Sequence, residues 1–477
     1  MNQKEFTGSI LEHLQHTPTA GQETLADLLA EFIFSRQENQ RYPVFVLKGY
    51  AGTGKTSMVS SLVKSLPLLG KKTVLLAPTG RAAKVLSLYS GKPAFTVHRK
   101  IYMHQALPGG GISISLRTNL HKHTLFIVDE ASMIQSESAG NDTILSSRNL
   151  LDDLIEYVYS SNCRLLLTGD TAQLPPVGLN ISPALDTSYL GASYPLQLTS
   201  FELTEVVRQE KESGVLFNAT LLREMLKMDS CEPPFFQLKN FDDIIRINGS
   251  ELEDALNHSI HSKGVESTVV VTRSNKRANL FNKEIRNRIL FRDPDVAAGD
   301  LMMVVKNNYF WLPPESQAGF IANGDTIEIL RVRKTEDLYG FRFANVHARL
   351  VDYPDEPELE LKIILNTIDS ESAALTQEES KKLFGEVMLD YEAIPSKAER
   401  FRQLRSNPYY NALQVKFAYA LTCHKTQGGQ WEDVFVDQGY LPDDGINSEY
   451  LRWIYTALTR AVKRVYLVNF NDKLFGG

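Results

Sequence analysis

The sequence predicts an α/β protein with two parallel-sheet domains, the second of which carries a small β-barrel insertion. Three observations indicate this class. Short apolar runs alternate with helical patterns in both halves of the chain. A glycine-rich loop, residues 49–56, follows the first of these runs. Residues 300–375 instead contain short strand-like runs and an Asn-Gly-Asp turn at 323–325, which is typical of a small barrel.

Composition excludes several classes of protein. The 477 residues are too many for one ordinary core, and 43% hydrophobic with 23% charged residues is typical of a soluble protein. Cys163, Cys231 and Cys423 lie far apart, which favours a reducing compartment over a zinc site. The N-terminus lacks a signal pattern and no apolar run approaches the ~20 residues of a membrane span. We therefore expect a cytoplasmic protein with no membrane contact.

The charge distribution is uneven. The net charge of −6 excludes a wholly basic surface, so a nucleic-acid site would have to be a local groove. Residues 276–292 carry six basic side chains and one acidic one, whereas residues 352–360 carry five acidic ones. Composition alone favours a solvated face for each stretch.

The loop at 49–56 reads GYAGTGKT and lies between an apolar run, 44–47, and a helical pattern, 57–64. Strand, glycine loop and helix in this order predict a phosphate-binding loop, because its backbone N–H groups and the helix N-terminus both favour anions. Lys55 would reach the outer phosphates and Thr56 would ligate Mg²⁺. The backbone around the phosphates would come from Gly49, Ala51, Gly52, Thr53 and Gly54.

Polar residues follow the later strands of the same domain. Asp129 and Glu130 end the apolar run 124–128; Asp129 would hold Mg²⁺ through water, and Glu130 would deprotonate the attacking water. The run 164–168 leads into GDTAQLPPV, where the Gln173 amide could sense the γ-phosphate. Upstream, the Gln22 amide could read adenine, although an exposed helix-start glutamine is the alternative.

Two further segments suit a polynucleotide. Thr79, Gly80 and Arg81 follow the run 73–77, where N–H groups could bind a backbone phosphate, and Thr96 and His98 follow in the next segment. Each of them alone is equally consistent with an ordinary surface residue. Residues 103–123 contain an alternating run and a Pro-Gly-Gly-Gly centre, which predicts a short β-hairpin inserted in the first domain.

The predicted domains are 1–198 for the first α/β domain, 199–300 with 412–477 for the second, and 301–411 for the inserted barrel with a charged helical segment. One phosphate loop shared by two such domains suggests that ATP lies in the cleft between them. The second domain should then supply an arginine to the phosphates, with Arg208 and Arg460 as the candidates.

Eight segments occur in order: GYAGTGKTS, APTGRAAKVL, TVHR, LFIVDEASM, LTGDTAQLPPV, LTEVVRQ, YALTCHKTQGGQW and YTALTRA. The series resembles the motif set of superfamily 1 helicases, most closely the superfamily 1B RecD/Dda branch with its RecD-like and TraA-like motor domains. The resemblance covers nearly the whole chain. It implies two RecA-like P-loop domains, an SH3-like barrel, and a separation pin at the 103–123 hairpin.

The resemblance also implies roles for individual residues. Gln22 would read adenine, Arg208 and Arg460 would be paired arginine fingers, and Gln173 would couple the γ-phosphate to DNA contacts. Gln427 and Gly428 would contribute to the nucleotide site, with Gln427 also supporting contacts to the strand. The strand itself would be contacted by Thr79, Gly80, Arg81, Thr96, His98, His424 and Thr426.

The activity implied is an ATP- and Mg²⁺-dependent 5′-to-3′ DNA helicase, acting as a monomer on single-stranded and tailed duplex DNA, with repair or recombination proteins as possible partners. Three alternatives remain open: an ATP-dependent remodelling switch, the motor subunit of a recombination nuclease, and a conjugative relaxase-helicase. The last needs an N-terminal nicking domain, and 48 residues precede the phosphate loop. The residues leave DNA versus RNA open.

Overall fold

Two parallel sheets and one closed barrel form the architecture of this computed structural model. It describes residues 1–36, 41–107, 111–135, 149–206, 213–228, 232–313, 316, 318–442 and 445–475. The predicted class, two RecA-like domains with an SH3-like barrel in the second and a hairpin in the first, is confirmed. Among the described residues, no helix combines the length and apolarity that a membrane crossing needs.

The first domain is a six-stranded parallel sheet in the order β3-β2-β6-β7-β1-β8. Its central strands are buried along nearly their whole length, because helices cover both faces and leave no polar face to alternate with. The strands are β1 Tyr42–Gly49, β2 Lys72–Ala77, β3 Ala94–Thr96, β6 Thr124–Val128, β7 Arg164–Gly169 and β8 Leu196–Leu203. The helices are α1 Gln3–Glu12, α2 Ala20–Phe34, α3 Lys55–Ser65, α4 Gly80–Ser90, α5 Val97–Ile101, α6 Leu150–Tyr159 and α7 Thr187–Ser193.

The predicted hairpin consists of β4 Tyr102–Leu107 and β5 Gly111–Leu116, which pair antiparallel. Its centre, residues 108–110, lies outside the described residues. The hairpin begins directly after α5, so it projects from the helix that carries His98.

The second domain is a five-stranded parallel sheet in the order β16-β10-β17-β18-β9. Its strands are β9 Ile244–Ile247, β10 Thr268–Thr272, β16 Ala420–Thr422, β17 Trp431–Asp437 and β18 Ala461–Val468. Its helices are α8 Gly214–Lys227, α9 Leu252–Lys263, α10 Asn275–Glu284, α14 Cys423–Thr426 and α15 Ser448–Leu458.

The barrel closes through β11 Leu301–Val304, β12 Thr326–Leu338, β13 Phe341–Leu350, β14 Leu359–Ile364 and β15 Leu413–Phe417. Strands β12 and β13 pair along their whole length as a long hairpin. Between β14 and β15 lie α11 Asn366–Asp369, α12 Gln377–Leu389 and α13 Lys397–Arg405, and the last two form the charged helical segment predicted within 301–411. Helices α12 and α13 pack on the hairpin through a small core of their own, which includes Phe343, Leu383, Val387 and Leu404.

Two strands cross the domain limits drawn from the sequence. Strand β8 pairs with β1 as far as Leu203, so the first sheet extends beyond residue 198. Strand β15 pairs with β11 and β14 in the barrel, although the limit at 412 assigns it to the second domain. The apolar run 413–421 looks like one strand, but only its end, β16, pairs with β10.

A buried carboxylate joins the barrel to the second domain. Asp300 is fully buried at the point where the chain enters the barrel. It accepts hydrogen bonds from Arg286 at 3.1 and 3.2 Å, from Arg292 at 2.7 Å, and from the hydroxyl of Tyr419, where the chain returns, at 2.9 Å. Both chain crossings are thereby fixed to one group.

The same contacts account for most of the basic stretch at 276–292. Arg286 and Arg292 pair with Asp300, while Arg277 forms two hydrogen bonds with buried Asp437. Lys276 and Arg288 pair with glutamates at the surface. A solvated face is therefore wrong for Arg286, which is buried, and the stretch is largely neutralised within the protein.

We expect Asp300→Asn to lower the free energy of unfolding by about 3 kcal/mol, because it leaves two guanidinium groups without their charged partner in a buried site. Chemical denaturation and limited proteolysis of the barrel check this. Arg288→Ala removes an exposed pair and should cost less than about 1 kcal/mol. Equal losses in the two variants would contradict the role given to Asp300.

Candidate nucleotide site and nucleic-acid groove

The predicted phosphate loop joins β1 to α3. Gly52 and Gly54 have φ values of 74° and 83°, which side chains other than glycine rarely adopt. The loop curls around Lys55, whose Nζ donates to the carbonyl of Tyr50 at 2.9 Å. The Thr53 hydroxyl donates to the same carbonyl at 2.8 Å.

Gln22 is not an exposed helix-start residue but is fully buried against this loop. Its Oε1 accepts the N–H of Thr19 at 3.2 Å in a capping box, and its Nε2 donates to the carbonyl of Thr53 at 3.2 Å. The structure thus brings the Gln22 amide to the nucleotide site, and its reading of adenine stays a prediction.

Asp129 and Glu130 lie at the carboxyl end of β6. Glu130 has a φ of 51°, an uncommon left-handed conformation for a residue other than glycine, and its N–H donates to Asp129 Oδ1 at 2.9 Å. Burial and the Glu130 charge raise the pKa of Asp129 to about 7, while the Lys55 charge opposes the rise. The Thr56 hydroxyl makes no hydrogen bond within the described part of the chain. Two adjacent carboxylates, with Lys55 near enough for its charge to act on Asp129, fit a hard divalent cation such as Mg²⁺.

The segment after β7 is held by side chains of the second domain. The N–H of Leu174 donates to the Thr456 hydroxyl at 2.9 Å, and its carbonyl accepts from Gln427 Nε2 at 2.6 Å. Arg452 donates to the carbonyls of Thr171 and Gln173. Among the residues that the structure describes, the buried side-chain oxygen of Gln173 has no hydrogen-bond partner, so it can accept one from a ligand.

Tyr455 is a residue that the sequence does not single out. Its hydroxyl accepts the N–H of Ala51 in the phosphate loop at 2.9 Å and donates to Asp170 at 2.6 Å. Next to Ala51, the Tyr50 ring packs in the core of the second domain, with the Arg223 guanidinium 4.7 Å from its centroid. The helical spacing of Arg452, Tyr455 and Thr456 on α15 is the one sequence signal that could have found this contact surface.

The two candidate arginines have different outcomes. Arg460 is 4% exposed and is held by its own domain, through the carbonyls of Thr456 at 3.0 Å and Gly429 at 3.3 Å. Arg208 lies outside the described residues. The pair of arginine fingers therefore stays a prediction.

Gln427 and Gly428 lie where the second domain meets the first. Gln427 bonds Leu174 as described above. Gly428 has a φ of 72°, and a Cβ there would lie 2.9 Å from Ala82 and 3.2 Å from the Thr79 hydroxyl. Both residues are thus placed against the sheet edge and α4 of the first domain, and their contact with a nucleotide stays a prediction.

A groove of about 1220 Å³ runs between the first domain, the second domain and the barrel. It brings together five of the residues predicted for DNA: Thr79, Arg81, Thr96, His98 and His424. Four cationic side chains line it, Arg81, Lys306, Lys381 and Lys425, and none of its described lining residues is acidic. The remaining two lie beneath the surface: Gly80 is buried, with Asp325 of the barrel 2.7 Å from where a Cβ would be, and Thr426 donates to the carbonyl of Cys423 at 2.7 Å.

Burial changes the charge state of groove residues. It lowers the pKa of His98 to about 4, so the ring is neutral at pH 7. It lowers the pKa of Lys425 to about 8, and the Lys425 ammonium donates to Asn323 of the barrel at 2.5 Å. Arg81 stacks on the Trp431 ring of the second domain at 4.2 Å. The groove therefore contains a guanidinium, that of Arg81, which is fixed in place by an aromatic ring behind it.

Two families match this chain. Residues 35–225 match the family described as AAA domain, and residues 417–468 match the UvrD-like helicase C-terminal domain. The first match spans the phosphate loop and the acidic pair, and the second spans His424, Gln427 and Arg460. These matched regions therefore contain most of the site described above.

Three similar proteins illustrate the relationship. The ATP-dependent RecD2 DNA helicase of Deinococcus radiodurans is 34% identical over 36% of this chain and 20% of its own length. The ATP-dependent DNA helicase dda of Enterobacteria phage T4 is 24% identical over 60% of each chain. A crystal structure of Pif1 helicase from Bacteroides in complex with ADP-AlF3 and ssDNA covers 97% of this chain and 95% of its own, at 15% identity and a TM-score of 0.47.

The chain covers only part of the length of the two helicase relatives. The two matched families together include the phosphate loop, the acidic pair and the second-domain motifs that contain Gln427 and Arg460. On these grounds the chain is similar to the superfamily 1B helicases of the RecD/Dda branch, with an AAA-type region and a UvrD-like helicase C-terminal region in one chain.

Proposed function

We propose that this protein is a DNA helicase that uses ATP and Mg²⁺ in the cleft between its RecA-like domains to move 5′-to-3′ along single-stranded DNA and to separate the duplex ahead. The observation that supports this most directly is that the nucleotide site and the cationic groove share one segment. Leu174 and its neighbours follow the strand beside the phosphate loop, and Gln427, which bonds Leu174, lines the groove. A change at one site therefore has a short route to the other.

The groove fits a single strand bound without regard to sequence. Four cations in a described lining that contains no carboxylate suit a row of phosphates, while the half-buried Tyr410 offers aromatic surface to a base. Such binding weakens with salt, because each neutralised phosphate releases counterions. Single-stranded and tailed duplex DNA are the substrates we assign, with the protein acting as a monomer beside repair or recombination proteins.

In the nucleotide site, Lys55 would leave the Tyr50 carbonyl to bind the outer phosphates, and Gln22 would read the base. Thr56 and Asp129 would hold Mg²⁺, which neutralises charge on the phosphates. Glu130 would take the proton of the attacking water. Gln173 would use its unpartnered oxygen to sense the γ-phosphate or its loss.

ATP would draw the domains together if Arg208 and Arg460 bind the γ-phosphate from the second domain. Hydrolysis removes that contact, and the cleft relaxes. If each domain holds the strand in alternation, one cycle moves the protein along it. The direction of movement rests on the resemblance to the RecD/Dda branch.

The direction of movement can be tested on duplexes with a single-stranded tail. Wild type should unwind a partial duplex with a 5′ single-stranded tail and leave one with a 3′ tail intact, whereas Lys55→Ala should unwind neither because it loses its phosphate contact. Strand displacement measured beside ATP hydrolysis checks this. Unwinding from the 3′ tail alone would overturn the direction, and ATPase activity without unwinding would favour a remodelling switch or a motor subunit of a larger complex.

The two candidate arginine fingers can be tested by substitution. Arg208→Ala and Arg460→Lys should lower kcat for DNA-stimulated ATP hydrolysis about 100-fold or more, with little change in ATP binding, since their contact forms with the transferring phosphoryl group. Arg464→Ala, a half-buried residue bonded to Tyr466, is the matched control and should retain wild-type rates. Wild-type kcat in either finger variant removes that residue from the mechanism.

DNA binding should depend on pH through the charge of Lys425. Since the Lys425 pKa is lowered to about 8, its positive charge is present at pH 7 and lost as the pH rises to 9. The slope of log K against log salt for single-stranded DNA should then fall by about 0.7 in wild type. Lys425→Arg stays charged and should keep most of its slope. An equal change in both proteins would show that Lys425 is not the titrating contact.

A further inference from the structure

A single peptide unit of the phosphate loop is held from both domains. The carbonyl of Tyr50 accepts hydrogen bonds from Lys55 Nζ at 2.9 Å and from the Thr53 hydroxyl at 2.8 Å, both within the first domain. The N–H of the same unit, which belongs to Ala51, donates to the Tyr455 hydroxyl of the second domain at 2.9 Å. The Tyr50 ring lies in the core of the second domain.

The Tyr455 hydroxyl also reaches the segment that follows β7. It donates to Asp170 Oδ2 at 2.6 Å, and Asp170 Oδ1 accepts the N–H of Ala172 at 2.9 Å. Two residues further on, Leu174 bonds Gln427, which lines the cationic groove. Tyr455 is 1% exposed, so water cannot replace either of its hydrogen bonds without movement of the chain.

We propose that Tyr455 is a positioning residue that couples phosphate binding in the loop to the affinity of the protein for DNA. To bind phosphate, Lys55 must leave the Tyr50 carbonyl, which then loses its charge-assisted donor. With that charge gone the carbonyl keeps only its donors from Thr53, and the N–H of the same peptide unit is the group that bonds Tyr455. The contact therefore links Lys55, through Tyr455 and Asp170, to the Leu174–Gln427 contact at the groove. This inference rests on the proposed function.

A purely structural role for Tyr455 makes a different prediction. A buried hydroxyl with two partners contributes to stability wherever it lies, and its loss would then weaken folding without altering how ATP changes DNA affinity. A coupling role changes the ratio of the DNA affinities with and without nucleotide. It leaves nearly intact the DNA affinity without nucleotide and the nucleotide affinity without DNA. Tyr450 offers a comparison, since it is 1% exposed on the same helix but bonds Gln438 within its own domain at 3.1 Å.

The test compares wild type, Tyr455→Phe and Tyr450→Phe as full chains. Fluorescence anisotropy gives the Kd for a labelled oligothymidylate without nucleotide and with a non-hydrolysable ATP analogue, and a fluorescent ATP analogue gives the nucleotide Kd. We expect a change in DNA affinity of about fivefold or more on nucleotide binding in wild type and Tyr450→Phe. In Tyr455→Phe the ratio of DNA affinities with and without nucleotide should approach one. The DNA affinity without nucleotide and the nucleotide affinity without DNA should each stay within about twofold of wild type.

Asp170→Asn is a second variant in case Tyr455→Phe fails to fold, because it keeps the shape of the side chain but weakens the bond from Tyr455. Its ratio of DNA affinities with and without nucleotide should also approach one. A wild-type ratio in Tyr455→Phe or in folded Asp170→Asn overturns the coupling role and leaves the proposed function standing. A ratio of one in wild type itself overturns both, since nucleotide would then not alter the hold on DNA at all.

Discussion

The hold of α15 and Gln427 on the segment after β7 is the interaction on which the rest of this structure depends. Leu174 has both its N–H and its carbonyl bonded to side chains of the other domain. Buried backbone groups need partners, so the two domains cannot separate here without letting water in. The cleft that contains Lys55, Glu130 and Gln173 is consequently defined by contacts between domains, and neither domain builds it alone.

Net charge says little about where such a protein meets an anion. The chain carries −6, yet the described lining of its groove has four cations and no carboxylate. The positions of the basic residues account for the difference. Most of those in the basic stretch 276–292 form ion pairs with Asp300, Asp437 and surface glutamates. The cations that face the groove come singly from four separate segments, which no window of sequence can reveal.

Sequence therefore predicted what is local and missed what is distant. The phosphate loop, the acidic pair and the parallel strands are all encoded in neighbouring residues, and the parallel sheets are confirmed. Tyr455 lies 404 positions from Ala51 and looks like any core tyrosine until the domains are docked. Strands β8 and β15 cross the predicted domain limits for the same reason, because they are apolar runs whose partners decide which sheet they join.

The Asp300 junction has a mechanical consequence. Because it fixes both crossings of the chain, the barrel must travel with the second domain as one body, while Lys84 of α4 hydrogen-bonds the barrel at Val351 from the first. Strand β12 alone extends roughly 40 Å at the usual rise per residue. A rotation of a few degrees between the two domains would therefore displace the far end of the β12–β13 hairpin by ångströms. Helix α13, which packs on that hairpin, lies beside the β5 backbone of the first domain.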